Sequence, residues 1–214
     1  GAALISVILA LFLGYGMRIL PGKATIISVR TASIGYAIPG TVIAVGVIIP
    51  FAWLDLRFDA FMKSSLGISS GLIFSGTLIA VMFAYVVRFL AISLQTVESG
   101  LEKIKPSMDD AARSLGCRHR ETLFKIHIPL LKSSTLTALM IVFVDVMKEL
   151  PATLILRPFD FNTLAVRAFE LASDERLADS STAALTIVVV GLLPVIYLSK
   201  TISHSRLDQG NTKI

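Results

Sequence analysis

Five long apolar runs divide the chain, at residues 2–20, 31–52, 71–94, 134–156 and 181–198, and polar, basic stretches separate them. Each run is close to the about 20 residues that a helix needs to cross the hydrocarbon core of a bilayer. Lipid offers no partners to free backbone groups, so these runs are predicted to be membrane-spanning helices. Within the second run, Pro39-Gly40 is expected to bend or break the helix. Residues 53–66 read as a short amphipathic connection carrying Asp55, Arg57, Asp59 and Lys63, with Trp53 at the lipid–water boundary. Gly67 and Gly71 form a weak small-xxx-small pair at the start of the third run, and Arg88 is expected to snorkel from its far end. A second amphipathic piece is expected around Leu164, Val166, Phe169 and Leu171, and Pro194 lies within the last run.

The longest polar stretch, residues 95–133, has a pattern of its own. Ser107 follows Pro106 and stands three residues before Asp110, which reads as a capping box opening a short helix. Ala111 and Ala112 leave a small, flat face on that helix where another protein can approach. Gly116 is a left-handed stop. A second short helix is expected where Leu123, Phe124 and Ile126 alternate with Arg118, Arg120, Glu121 and Lys125. Pro129 is expected to open the next long helix, where its missing N–H costs nothing.

Composition narrows the class. The chain is 54% hydrophobic and 16% charged, with a mean hydropathy of +0.77, which a soluble domain rarely shows. Its net charge is +5, yet the cations lie beside the apolar runs and no nucleic-acid module is recognisable. The single cysteine, Cys117, has no internal partner, and His119 two residues on lies on another helical face, which leaves a plain thiol. Five spans put the termini on opposite sides. With the 95–133 stretch in the cytoplasm, fourteen of the twenty Lys and Arg fall on that side: Arg18, Lys23, Arg30, Arg88, Lys103, Lys105, Arg113, Arg118, Arg120, Lys125, Lys132, Lys200, Arg206 and Lys213. Five (Arg57, Lys63, Arg157, Arg167, Arg176) fall opposite, and Lys148 lies within a span. The positive-inside rule then places the N-terminus outside and the C-terminus in the cytoplasm.

The order Asp110-Ala-Ala-x-x-x-Gly116, nine residues, Ile126-x-Ile128-Pro129 resembles the EAA loop of permease subunits of binding-protein-dependent ABC importers, with Asp110 for the usual Glu and Ile128 for the usual Leu. That resemblance implies an all-α membrane protein with the five-helix core of a type I ABC importer permease and a cytoplasmic coupling helix. It implies that Asp110, Ala111, Ala112, Leu115, Gly116, Ile126 and Pro129 meet a cytosolic ATPase dimer. It also implies a periplasmic substrate-binding protein, a second permease half and an inner-membrane location in a bacterium. The chain has no Gly-x-x-x-x-Gly-Lys-Ser/Thr loop and no nucleophile or metal cluster. ATP and Mg are therefore expected on the partner ATPase, with no cofactor on this chain and no enzymatic step. Residues 1–214 read as one permease domain. The start at Gly1 inside an apolar run leads to the expectation of the C-terminal half of a longer fused permease, with an identical second subunit as the other arrangement.

The fourth run carries Asp145, Lys148, Glu149 and Pro151. A charge at mid-bilayer costs about 2.5–3.5 kcal/mol on insertion scales, so such groups face protein or water. One reading is a buried pair pinning the helices, with Lys148 neutralising Asp145 three residues away. The other is a lining of the substrate path at a broken helix. The string from Met147 to Pro158, followed by 161–167 and 171–176, is similar to the C-terminal half of ferric-iron ABC permeases, which implies Fe3+ as cargo. Carboxylates suit that hard cation. Thiamine, phosphonate and sulfate importers use related permeases. Readings from other classes are an ATPase-independent carrier or channel, and a membrane scaffold without transport.

Overall fold

The computed structural model describes residues 1–211, with side chains through residue 197. Lys200, Arg206 and Lys213 of the charge count lie outside the described residues or side chains. All the secondary-structure elements of the described residues are helical, with no strand among them. In order the helices are α1 (Ala2–Ile19), α2 (Lys23–Ala32), α3 (Gly40–Leu66), α4 (Leu78–Leu101), α5 (Pro106–Ser114), α6 (His119–Thr122), α7 (Ile128–Leu130), α8 (Lys132–Met147), α9 (Pro151–Leu156), α10 (Leu164–Ser173) and α11 (Leu177–Asn211). A 3-10 turn (Gly35–Ala37) precedes α3, and one π-helical turn (Leu123–His127) links α6 to α7.

Four helices are long and apolar enough to cross a membrane: α1, α3, α4 and residues 177–197 of α11. The remaining expected span, the fourth in chain order, is broken. Its first part, α8, has 16 residues, about 24 Å at about 1.5 Å per residue. That is short of a hydrocarbon core of about 30 Å. The chain breaks at residues 148–150 and resumes as α9 behind Pro151, which occupies the first helical turn where it has no N–H to lose. At its other end, α8 meets the 119–130 segment at a bend of 71°.

Several boundaries move for identifiable reasons. Pro39 caps α3 instead of bending it, so the second span starts at Gly40 and not near residue 31. The expected connection at 53–66 is the continuation of α3, which runs 27 residues with Pro50 inside it. Arg57 stacks over the exposed Trp53 ring there, 5.2 Å from its centroid. Gly67 and Gly71 are not a helix-packing pair: both adopt left-handed φ, +67° and +64°, which is turn geometry open to glycine. Their loop folds back onto α3, where the Asp55 carboxylate accepts from the backbone N–H groups of Ile73, Phe74 and Ser75 at 2.8–2.9 Å. These bonds hold residues 73–75 off the helical path, and the third span begins at Leu78 behind a Thr77 cap, not at residue 71. At its far end α4 runs to Leu101, about two turns into the stretch expected to be loop.

The helices close on small residues. Ala44, Ala80 and Ala84 are at most 1% exposed where α3 meets α4, which lets the backbones approach closely. One apolar cluster joins Ala2, Ile43, Val47, Val81, Tyr85, Val142 and Leu156. A second, nearer the polar stretch, joins Ala10, Val29, Leu94, Val97, Leu101, Ile104 and Leu131. Leu4, Ile8, Val42, Ile49, Val189 and Leu193 lie exposed around the outside, as expected of surfaces facing lipid or another apolar chain.

Candidate functional site

The 102–131 segment folds as two short helices joined by a glycine turn. Lys105, not Ser107, is the cap of α5, because Pro106 takes the first helical position and draws the start two residues earlier. Ser107 makes no capping bond, so the expected capping box is absent there. Asp109, not Asp110, is the acidic group of the first turn. The reciprocal carboxylate falls instead at α6, where Glu121 accepts from the Arg118 N–H at 3.0 Å. Gly116 has φ +82°, the left-handed stop that the sequence suggested. Ala111 and Ala112 do not share a flat outer face. Successive residues lie about 100° apart on a helix, so Ala112 turns inward at 2% exposure while Ala111 faces out.

A polar network ties this segment to the membrane helices. Arg18, in the last turn of α1, donates through Nε to Asp109 Oδ2 at 2.7 Å. Its Nη1 donates to the Leu101 carbonyl and its Nη2 to the Ile104 carbonyl, both at 2.8 Å. The Leu101 carbonyl, which also accepts from the Ile104 N–H at 3.0 Å, ends α4, and the Ile104 carbonyl lies three residues beyond, at the end of the helix that is negative in character. The second Asp109 oxygen, Oδ1, lies 2.6 Å from Nε2 of His127, which is fully buried in the π-helical turn. Tyr15 completes the set: its ring centroid is 5.0 Å from that of His127, and its hydroxyl donates to the His119 carbonyl at 2.8 Å. Burial pushes the Asp109 carboxyl up, but the hydrogen bonds from Arg18 and His127 outweigh burial and hold it below the ordinary carboxylate value. Apolar docking of α5 is thin by contrast. Ala112 is its one buried residue, and a buried carbon contributes only about 0.8 kcal/mol.

The second cluster lies at the break in the fourth span. Lys148 and Asp145 form an ion pair at 2.7 Å, with the lysine largely exposed. Glu149 is 5% exposed. Its Oε2 lies 3.3 Å from Arg88 Nε, and its Oε1 accepts from the Ala152 N–H in the first turn of α9. Arg88 therefore does not snorkel. It sits midway along α4, and its guanidinium lies against a buried carboxylate. A Cβ on Gly40 would collide with Arg88 Nη1 and reach within 2.6 Å of Glu149 Oε1, so the start of α3 leaves room for this pair. Among the described residues, no group of three or more His, Cys, Asp or Glu side chains is placed to hold a metal ion.

The family model for the inner membrane component of binding-protein-dependent transport systems matches residues 4–209 of this chain. The chain belongs to that family. It is a transport component, not an enzyme, a multi-pass inner-membrane protein with the type I permease fold. Among its relatives is the Fe(3+)-transport system permease protein FbpB 2 of Haemophilus influenzae, 30% identical over 125 residues, 58% of this chain and 24% of that protein. Another is the putative 2-aminoethylphosphonate transport system permease protein PhnV of Salmonella typhimurium, 29% identical over 173 residues, 81% of this chain and 58% of that protein. A third is the ferric transport system permease protein FbpB of Actinobacillus pleuropneumoniae, 25% identical over 178 residues, 83% of this chain and 24% of that protein. The aligned part of the chain thus covers about a quarter of the two ferric relatives and 58% of PhnV.

The residues expected to matter in this permease divide by exposure. Asp110, Ala111, Leu115 and Gly116 face outward, Leu115 at 84% exposure, and Asp110 pairs with Arg113. Ala112 is buried and Ile126 half-buried. Pro129 does not open the long helix: it sits in α7, and α8 starts three residues later beyond the 71° bend. Cys117 is a half-buried free thiol. Sequence reasoning missed Tyr15, Arg18, Asp109, His127 and Arg88. A signal was present for two of them: His127 stands between two isoleucines, and Asp109 directly precedes the acidic residue of the motif.

Proposed function

We propose that this chain is the membrane half of an ATP-driven importer, with the 102–131 segment in the cytoplasm as its coupling surface. One observation carries the reading: an outward ridge of Asp110, Ala111, Leu115 and Gly116 stands on a short helix that is tied to α1 and α4 through Arg18 and Asp109. A ridge held this way can take a push from a cytosolic ATPase dimer, which binds ATP and Mg, and pass it to the membrane helices. Alternating access then follows from movement of the helix bundle around the cargo. The N-terminus lies outside and the C-terminus in the cytoplasm. A periplasmic binding protein delivers the cargo, and a second five-span unit completes the path. The aligned part is only 24% of each of the two ferric relatives named above, which leaves room in such a chain for a second unit.

Ferric iron is the proposed cargo, supported by the 147–158 string and by the FbpB relatives. The phosphonate reading has its own support: the PhnV match covers 81% of the chain, and two guanidinium nitrogens of Arg88 are without hydrogen-bond partners among the described residues, a donor set suited to an anion. The break at residues 148–150 is the proposed opening to the path, with Asp145, Lys148, Glu149 and Pro151 beside it. Reconstitution of the full permease with its ATPase and binding protein tests the reading. Leu115→Cys is expected to cross-link to the ATPase, and radiolabelled iron to enter vesicles only with ATP. Uptake of 2-aminoethylphosphonate in place of iron would move the cargo to the second reading. Cysteines at Lys103 and Asp174 are expected to label from opposite sides of the membrane; labelling from one side would end the topology.

A further inference from the structure

We infer that Arg18, Asp109 and His127, steadied by Tyr15, form a positioning latch that makes α5 and the ends of α1 and α4 move as one body. The inference rests on the importer reading and adds the residues through which force would travel. One guanidinium joins three elements: α1 through its own backbone, the end of α4 and the connection after it through the Leu101 and Ile104 carbonyls, and α5 through Asp109. A planar fork can satisfy these three directions together, which a lysine ammonium on a flexible stem does less well. Asp109 spends its second oxygen on His127, and so adds the turn that leads through α7 into α8. Tyr15 and Arg18 are three residues apart and so share a face of α1, one reaching the His119 carbonyl beyond Gly116 and the other reaching Asp109 before it. Both short helices are therefore held from the same helical turn.

The apolar contacts do not supply this link. Ala112 is the one buried residue of α5, whereas α4 buries Leu94, Val97 and Leu101 in the cluster beside α1. The Gly14 Cα lies so close that a Cβ there would stand 3.1 Å from Leu101 and 3.4 Å from Val97. Hence α1 and α4 already form one packed body, and charge-assisted bonds fasten α5 to it. The Arg18 side chain is 18% exposed and that of Asp109 26%, so solvent competes little for these bonds.

Two measurements on the full permease, reconstituted with its ATPase and binding protein, test the latch. The first is uptake per ATP hydrolysed. Asp109→Asn keeps the shape of the side chain and removes its charge. It is expected to assemble and hydrolyse ATP while uptake per ATP falls on the order of tenfold, within the usual range of coupling between sites. Arg18→Lys is expected to fall less. Unchanged uptake per ATP in Asp109→Asn, or a proportional loss of uptake and hydrolysis, would overturn the latch. The second needs no latch mutation. Spin labels at Leu20 and Met108, both exposed, report the separation of the α1 end from α5. The latch predicts one distance distribution with and without trapped ATP. A shift approaching one helical turn, about 5.4 Å, would overturn it even where Asp109→Asn fails to assemble. A wild-type complex that binds no ATPase and takes up no cargo would instead sink the importer reading itself.

Discussion

Arg18 and Arg88 lie beside carboxylates at almost the same side-chain exposure, 18% and 20%, and end in opposite condition. Arg18 has an acceptor for each of its three nitrogens. Arg88 approaches Glu149 at 3.3 Å, but its Nε and Nη1 have no hydrogen-bond partner among the described residues. Position along the helices explains the contrast. Arg18 reaches carbonyls at and beyond the end of α4, which no further turn of that helix claims. Arg88 projects from mid-helix, where the neighbouring carbonyls are spent on the helix itself. An equal degree of burial thus gives a finished fastening at one place and an unfinished one at the other. The unfinished one lies at the break in the fourth span.

The largest expected effect breaks the comparison at Arg88. Removing one partner of a buried pair leaves the other charge uncompensated, at a cost of about 3–5 kcal/mol, whereas replacing both is often neutral. Glu149→Gln alone is expected to lower the melting temperature of the purified permease, and Arg88→Met with Glu149→Gln to recover most of it. Uptake in the same two variants separates the readings of Glu149. A structural pin predicts that uptake recovers with stability in the double variant, and a path residue predicts that it stays lost.

Gly116 sharpens the other side. Its φ of +82° lies in the left-handed region, where an ordinary side chain costs roughly 1–2 kcal/mol and a β-branched one more. A Cβ there meets nothing within 4 Å, so backbone strain is the sole expected effect. Gly116→Val is expected to insert normally yet lose stimulation of ATP hydrolysis by loaded binding protein. Retained stimulation would remove Gly116 from the coupling surface.

These two sites were unequally legible in the sequence. Gly116 and the two short helices around it are local matters, set by turn chemistry within a dozen residues. The apolar runs likewise announced the helices, since span length is a property of consecutive residues. The fastenings were not local. Arg18 and Asp109 are 91 residues apart. Reasoning confined to the loop gave the capping role to Ser107 and Asp110: the preference of Pro106 for the first helical position was a local signal passed over, whereas nothing nearby shows that Asp109 turns inward. Arg88 read as a snorkelling residue for the same reason: its partner lies on another helix.

A smaller effect concerns acid. The Asp109 carboxyl is held below the unfolded value of about 3.9. A group depressed in this way contributes stability that is fully present above the unfolded value and is lost as pH falls through the folded one. Hydrogen-exchange protection of the α5 amides, corrected for intrinsic rates, is therefore expected to be level from pH 7 to pH 5 and to decline only below the ordinary carboxylate range. Asp109→Asn is expected to lower that protection at every pH and to flatten its acid decline. A decline between pH 7 and pH 5 in the unaltered protein would show that Asp109 is not held ionised by its partners.

The smallest expected effect is at Asp145 and Lys148. They form a pair at 2.7 Å, yet the Lys148 side chain is 63% exposed, unlike either arginine. An ion pair with one partner in solvent contributes about 0–1 kcal/mol, because water already screens the charges. Exchanging both, Asp145→Asn with Lys148→Met, is expected to move the melting temperature by no more than about 4 °C, since about 1 kcal/mol moves a domain of this size by roughly 2–4 °C. Transport need not follow stability here. Asp145 lines a small cavity of about 190 Å³ with Met140, Val144 and Pro194, between α8 and α11, so its carboxylate adjoins space as well as Lys148. If that space belongs to the path, Asp145→Asn alone abolishes uptake while assembly and basal ATP hydrolysis persist. If the pair only pins α8, the single and double variants both transport normally. Uptake in Asp145→Asn vesicles therefore decides whether the exposed pair resembles the Arg18 fastening in purpose or shares the path with Glu149.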